Sequence, residues 1–217
     1  LYIESRCPIK PEVPGYLIQR ELGKGGMGIV YLATRQADGL QVALKTLPPH
    51  LVTPTSARRF QREGRALQSL DHPNIVKVYD VGAHQGNHFI AMEYIDGPPL
   101  SRLLRQHPHG LDVSTVAKYG VQLAEALSDL HQRGMTHRDL KPGNIMITTS
   151  GVKLLDFGLV QVDGLTMLTA TGNIVGTPRY MSPEQCAGDP LDLRSDIYSF
   201  GILLYEMLLG KAPFVSE

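Results

Sequence analysis

At 217 residues, with 42% hydrophobic and 19% charged content, the chain can bury a sizeable core and is not a disordered polymer. The 21 Lys and Arg balance 21 Asp and Glu, which removes the charge argument for a nucleic acid or an anionic membrane surface as partner. Its two cysteines, Cys7 and Cys186, lie far apart and fit a reducing compartment rather than a disulfide framework, so the expected location is cytoplasmic.

Residues 1–15 carry Pro8, Pro11 and Pro14 without an apolar run of signal-peptide length and read as a tail or linker. Strand-like runs follow at 16–22, 29–33, 41–46, 76–81 and 88–92, separated by glycine, Asp-Gly and Gly-Asn turns, which predicts a small antiparallel sheet. Between the first two runs lies Gly23-Lys24-Gly25-Gly26-Met27-Gly28, where backbone N–H groups can approach a triphosphate with no Cβ in the way. The same glycine spacing opens a helix in dinucleotide-binding folds. Here Ile29-Val30-Tyr31-Leu32 favours a strand, which tells against hydride-transfer chemistry.

On the third run, Val42-Ala43-Leu44-Lys45, the two-residue period sends Ala43 and Lys45 to one face and Val42 and Leu44 to the other. Taken alone, Lys45 reads rather as a solvated lysine on a half-exposed strand. A helix predicted at 56–70 places Phe60, Glu63, Leu67 and Leu70 on one stripe. A carboxylate on an apolar stripe needs a cationic partner, and Lys45 is the candidate for Glu63. Gly64, in mid-helix, costs about 1 kcal/mol relative to Ala and marks the helix as a mobile element.

After Gly97 the pattern turns helical. Val113, Val116, Ala117, Val121, Ala124, Leu127 and His131 recur at helical spacing over 112–133, with Asp112 as N-cap and Gly134 as a left-handed stop. Beyond it come His137-Arg138-Asp139-Leu140-Lys141-Pro142-Gly143-Asn144 and then Asp156-Phe157-Gly158. Two carboxylates and an amide are the oxygen ligands and base that Mg²⁺ and an attacking hydroxyl require. The run 197–209 is apolar on nearly every side, too short for the about 20 residues that span a bilayer, and predicts a fully buried helix.

These segments in this order resemble the protein kinase superfamily over about 16–214. Gly25-Gly26-Met27-Gly28, His72-Pro73-Asn74-Ile75-Val76 and Ser182-Pro183-Glu184-Gln185 look most like its bacterial branch, the eukaryotic-like (Hanks-type) serine/threonine kinases. The resemblance implies an α+β, protein kinase-like two-lobe fold. The N-lobe, 16–92, would be a small antiparallel β-sheet with one regulatory helix; 93–97 would be the hinge, and 98–217 a mainly helical, incomplete C-lobe. By the same resemblance Asp139, Lys141, Lys45 and Glu63 are catalytic, and Asn144 and Asp156 hold Mg²⁺ or Mn²⁺. ATP would contact Leu22, Gly23, Gly25, Gly26, Gly28, Val30, Ala43, Lys45, Met92, Glu93, Ile95 and Met146, with Met92 as gatekeeper. Leu67, His137 and Phe157 would join an apolar stack linking the lobes, and Asp196 would brace the catalytic-loop backbone.

Lys141 and Thr177, the latter in the loop that receives the substrate residue after the acceptor, follow the serine/threonine pattern. Protein substrates with Ser or Thr acceptors are therefore implied. Arg138 beside Asp139 implies activation by phosphorylation, with Thr169 and Thr171 ahead of Thr166 as acceptors and self-association for trans-autophosphorylation. Because the sequence stops soon after the 197–209 run, Glu184 is expected to lack an Arg partner and apolar surface on that helix to be uncovered; a membrane anchor would lie outside this window. Two rival readings are a nucleotide-binding pseudokinase acting as a scaffold and a fragment inactive for want of a complete C-lobe.

Overall fold

The structure, a computed structural model, describes residues 11–25, 28–47, 52–155 and 178–214. It divides into two compact units. The first comprises the described residues up to Leu70 together with Lys77–Tyr94, and the second comprises Asp71–Val76 and the described residues from Ile95 onward.

The first unit is a five-stranded antiparallel sheet in the order β1-β2-β3-β5-β4, from β1 (Tyr16–Gly25), β2 (Gly28–Arg35), β3 (Gln41–Leu47), β4 (Val78–His84) and β5 (Asn87–Glu93). Gln85 and Gly86, both at positive φ, close β4 onto β5 as a two-residue turn whose twist matches the strands. One helix, α1 (Pro54–Gln68), starts on a capping box in which Thr53 Oγ1 accepts from the Ser56 N–H and the Ser56 hydroxyl accepts from the Thr53 N–H.

Sheet register sorts the side chains. Val30 lies opposite Lys45, Ala43 opposite Met92 and Lys45 opposite Ile90, so these five share one face. The other face packs Tyr31, Ala33, Val42, Leu44, Phe89 and Ala91 into a core with Val13. Both faces of β3 are thereby covered.

Gly64 has a packing reason that its propensity does not reveal. A Cβ there would lie 2.9 Å and 3.0 Å from the Val81 methyls and 3.1 Å from Ile90 Cδ1. The helix thus packs tightly on β4 and β5, on the sheet face that bears Lys45, with Phe60 and Leu67 buried along the same stripe.

The second unit is mainly helical, with α2 (Leu100–Gln106), α3 (Val113–Gln132), the short hairpin β6 (Ile145–Ile147) and β7 (Val152–Leu154), α4 (Pro183–Ala187) and α5 (Leu193–Leu209). Asp71–Val76, which the expected N-lobe bounds of 16–92 include, belongs here. Asn74 Nδ2 donates to the Val152 carbonyl at 2.8 Å, the Leu154 N–H to the Asn74 carbonyl at 2.8 Å, and the Val76 N–H to the Leu154 carbonyl at 3.0 Å.

Helix α3 forms as expected, capped by Asp112 and followed by Gly134 at φ 68°, but it buries a neighbouring stripe. Val116, Gly120, Leu123, Leu127 and Leu130 face inward, whereas Val113 and Val121 are exposed. Gly120 decides this: a Cβ there would press on Leu204 Cδ2 at 3.1 Å, so the helices meet along the small residue. Helix α5 corrects a second expectation, since it is not buried all round. Its inner stripe is Ser195, Asp196, Ser199, Ile202, Leu203 and Met207, and among the described residues Ile197, Tyr205, Leu208 and Leu209 stand exposed.

Candidate active site

In the first unit, the expected nucleotide residues come together on and beside one sheet face. β1 and β2 run into the glycine segment as a hairpin, Gly23 pairing with Val30 and Gly25 with Gly28. A Cβ at Gly23 or Gly25 would meet nothing within 4 Å, so the hairpin backbone is open to a ligand. Val30, Ala43, Lys45 and Met92 share the sheet face, and Lys45 is only 4% exposed. An ammonium so buried must be matched by negative charge or by hydrogen-bond acceptors. Leu22 is partly exposed near the start of the hairpin, and Glu93 closes β5, where its carboxylate accepts from the Lys77 N–H at 3.3 Å. Glu63 lies on α1 one residue before Gly64, on the helix that packs on the Lys45 face; its side chain lies outside the described residues, as does Gly26.

The second unit carries the polar cluster. Lys141 Nζ lies 2.9 and 2.7 Å from the two Asp139 carboxylate oxygens. Asn144, 8% exposed, sends its amide N–H₂ to Asp139 twice, at 2.8 Å to the main-chain carbonyl and 2.9 Å to Oδ2. Both donor hydrogens of Asn144 are used, which leaves its Oδ1 as the acceptor available to a hard cation. Asp156, the expected second ligand, lies outside the described residues, as do Phe157, Thr166, Thr169, Thr171 and Thr177.

What holds this loop is a set of buried hydrogen bonds. Asp196, 1% exposed, accepts from the His137 N–H and the Arg138 N–H, each at 2.8 Å, and lies 2.9 Å from His131 Nε2. Arg138 sits at φ 67°, a left-handed conformation uncommon outside glycine, which persists only where its surroundings enforce it. The fully buried His137 ring has a defined tautomer. Its Nδ1 accepts from the Asp139 N–H at 3.2 Å, so Nε2 carries the proton and donates to the Leu155 carbonyl at 2.8 Å. In addition to the packing expected of it, His137 is thus a polar tie across the loop.

Met146 is half-buried on β6, where it bridges Pro99, and Ile95 opens the second unit. Glu184, expected to be unpaired, accepts a hydrogen bond from the Ser195 hydroxyl at 2.5 Å, which holds its carboxyl below the usual range. Glu184 thus has a partner after all, a neutral hydroxyl on α5.

Three side chains went unread in the sequence. Ser182 and Gln185 form a capping box on α4, a signal present as Ser-x-x-Gln. Tyr180 donates to Glu206 Oε2 at 2.6 Å, and burial followed by that carboxylate pushes its hydroxyl pKa upward. A cleft of about 340 Å³ is lined by Arg105, Lys141, Gly143, Tyr180 and Glu206, so it shares Lys141 with the Asp139 cluster.

A family model described as protein kinase domain matches residues 16–217. The chain is 39% identical over 204 residues to a probable serine/threonine-protein kinase of Clostridium acetobutylicum, covering 93% of this chain and 31% of that protein. It is 40% identical to the serine/threonine-protein kinase PknB of Mycobacterium leprae (90% and 32% covered) and 38% identical to PrkC of Bacillus subtilis (93% and 31%). The chain thus spans about a third of the length of these curated relatives. The crystal structure of the Mycobacterium tuberculosis PknI kinase domain superposes with a TM-score of 0.76 at 33% identity, covering 93% of this chain and 76% of that one.

Proposed function

The chain belongs to the protein kinase domain family, and from that premise we propose that it transfers the γ-phosphoryl group of ATP, bound with Mg²⁺, to Ser or Thr hydroxyls of proteins. The observation that carries this reading is the Asp139 carboxylate fixed by Lys141 and Asn144 on a loop that Asp196 and His137 tie down. Asp139 orients the attacking hydroxyl and accepts its proton, while Lys141 offers positive charge to the transferring phosphoryl group. Asn144 Oδ1 and Asp156 would hold the metal, which would neutralise phosphate charge. Lys45, for which Glu63 is the proposed partner, positions the α- and β-phosphates, and the Gly23–Gly28 hairpin supplies backbone N–H groups over the triphosphate. Leu22, Val30, Ala43, Met92 and Met146 offer apolar surface to the adenine, and the Glu93–Ile95 backbone offers it hydrogen bonds.

Lys141 supports Ser/Thr selectivity, and the cleft beside it is where a substrate segment would lie. Autophosphorylation in trans, through transient self-association, would place phosphate on Thr169 or Thr171 for Arg138 to bind. We place the domain in the cytoplasm, where ATP is plentiful; no helix among the described residues is long and apolar enough to cross a membrane. Incubation with Mg-ATP and a generic acceptor protein, followed by phosphoamino-acid analysis, tests the reading. Phosphoserine and phosphothreonine are expected. Phosphotyrosine would overturn the assigned specificity, and ATP binding without transfer would favour a pseudokinase scaffold.

A further inference from the structure

Resting on the kinase reading, we infer that Gln185 is a positioning residue for Asp139, acting through the peptide group that joins Arg138 to Asp139. The Gln185 side chain is nearly buried at 8% exposed, and its polar atoms are divided between two tasks. Its Oε1 accepts from the Ser182 N–H at 2.9 Å, closing the cap of α4. Its Nε2 donates to the Arg138 carbonyl at 2.7 Å, across 47 positions of sequence. That second bond has no part in capping.

The carbonyl belongs to the Arg138–Asp139 peptide, and the N–H of the same peptide donates to His137 Nδ1 at 3.2 Å. One plane is therefore held at its oxygen by Gln185 and at its nitrogen by His137. Because a peptide is planar, fixing both ends sets the direction from which the Asp139 Cα departs. The preceding peptide is pinned as well, since the Arg138 N–H donates to Asp196 Oδ1 at 2.8 Å. Arg138 at φ 67° is thus clamped on its N–H side by α5 and on its carbonyl side by α4.

Without the α4 bond the Arg138 carbonyl keeps no protein donor among the described residues, and the strained backbone can relax. Asp139 would then swing relative to Asn144 and Lys141, which hold its carboxylate from the far side of the loop. Misplacing a reacting group by a fraction of an ångström is costly, so the expected loss is roughly tenfold or more in kcat. Among the described residues Gln185 makes no hydrogen bond to a residue assigned to ATP, so KM for ATP should stay within about twofold, since removing an interaction made only in the transition state lowers kcat alone.

Two variants test this on the whole protein: Gln185→Met removes both polar contacts, and Gln185→Glu keeps the acceptor for the Ser182 N–H while removing the donor to Arg138. Steady-state kinetics and ATP affinity would be measured for each beside wild type. We expect both variants to lose kcat with KM for ATP retained; should Gln185→Met fail to fold, Gln185→Glu decides. A wild-type kcat in Gln185→Glu, or a loss of ATP affinity equal to the loss of kcat, would overturn this inference alone. Absence of phosphoryl transfer by wild type would overturn the kinase reading and this inference with it.

Discussion

Replacing Gly64 by Ala sets two effects of known size against each other. Ala in a helix interior gains about 1 kcal/mol over Gly from backbone entropy. In this site the new Cβ would meet the Val81 methyls at 2.9 and 3.0 Å and Ile90 Cδ1 at 3.1 Å. Val81 is β-branched and stiff at χ1, and Ile90 is fully buried, so neither can withdraw freely. Overpacking of this kind costs about 1–3 kcal/mol, so the net expectation runs from neutral to about 2 kcal/mol of destabilisation. Urea unfolding of wild type, Gly64→Ala, Val81→Ala and the double variant measures it. With both Val81 methyls gone, Gly64→Ala should turn neutral or stabilising, a coupling of about 1–2 kcal/mol. Stabilisation by Gly64→Ala alone, with no coupling to Val81, would refute the packing argument.

Asp196→Asn leaves one acceptor where two backbone N–H groups converge, turns an amide donor against one of them, and should cost about 3 kcal/mol in urea unfolding while lowering kcat. Lys45→Met removes the ammonium but keeps a side chain of similar length to pack, so the fold should survive in circular dichroism while phosphoryl transfer falls roughly a hundredfold or more. The Tyr16 hydroxyl, whose pKa burial and the Asp80 carboxylate push from 10.0 up to about 12, gives a pH test. Its folded pKa is raised, so its stabilisation is whole below pH 10 and is lost as pH climbs towards 12. The stability difference between wild type and Tyr16→Phe should therefore shrink over that window, and a constant difference would contradict the assignment.

Local signals in the sequence were sufficient for the strands, for α1 and α3, and for the polar loop, because period, caps and glycine punctuation act over a few residues. The register that joins Val30, Lys45 and Met92 on one face follows from alternation once the strands pair. Long-range choices were not legible. The stripe that α3 buries depends on Gly120 meeting Leu204, and the role of Gly64 depends on Val81, a residue on another element. Asp71–Val76 fell within the N-lobe expected over 16–92, with Val76 read as the start of a strand, whereas its backbone pairs with β7. The Ser195 partner of Glu184 and the reach of Gln185 to Arg138 span 11 and 47 positions, and no periodicity announces either.

In the proposed mechanism Asp139, fixed by Lys141 and Asn144, directs phosphoryl transfer. Intact-mass analysis of wild type and Asp139→Asn after incubation with Mg-ATP tests it most directly. Added phosphate is expected on wild type alone, mapping to Thr169 or Thr171, with ATP binding retained in the variant. Equal phosphate gain on both proteins would contradict the role assigned to Asp139.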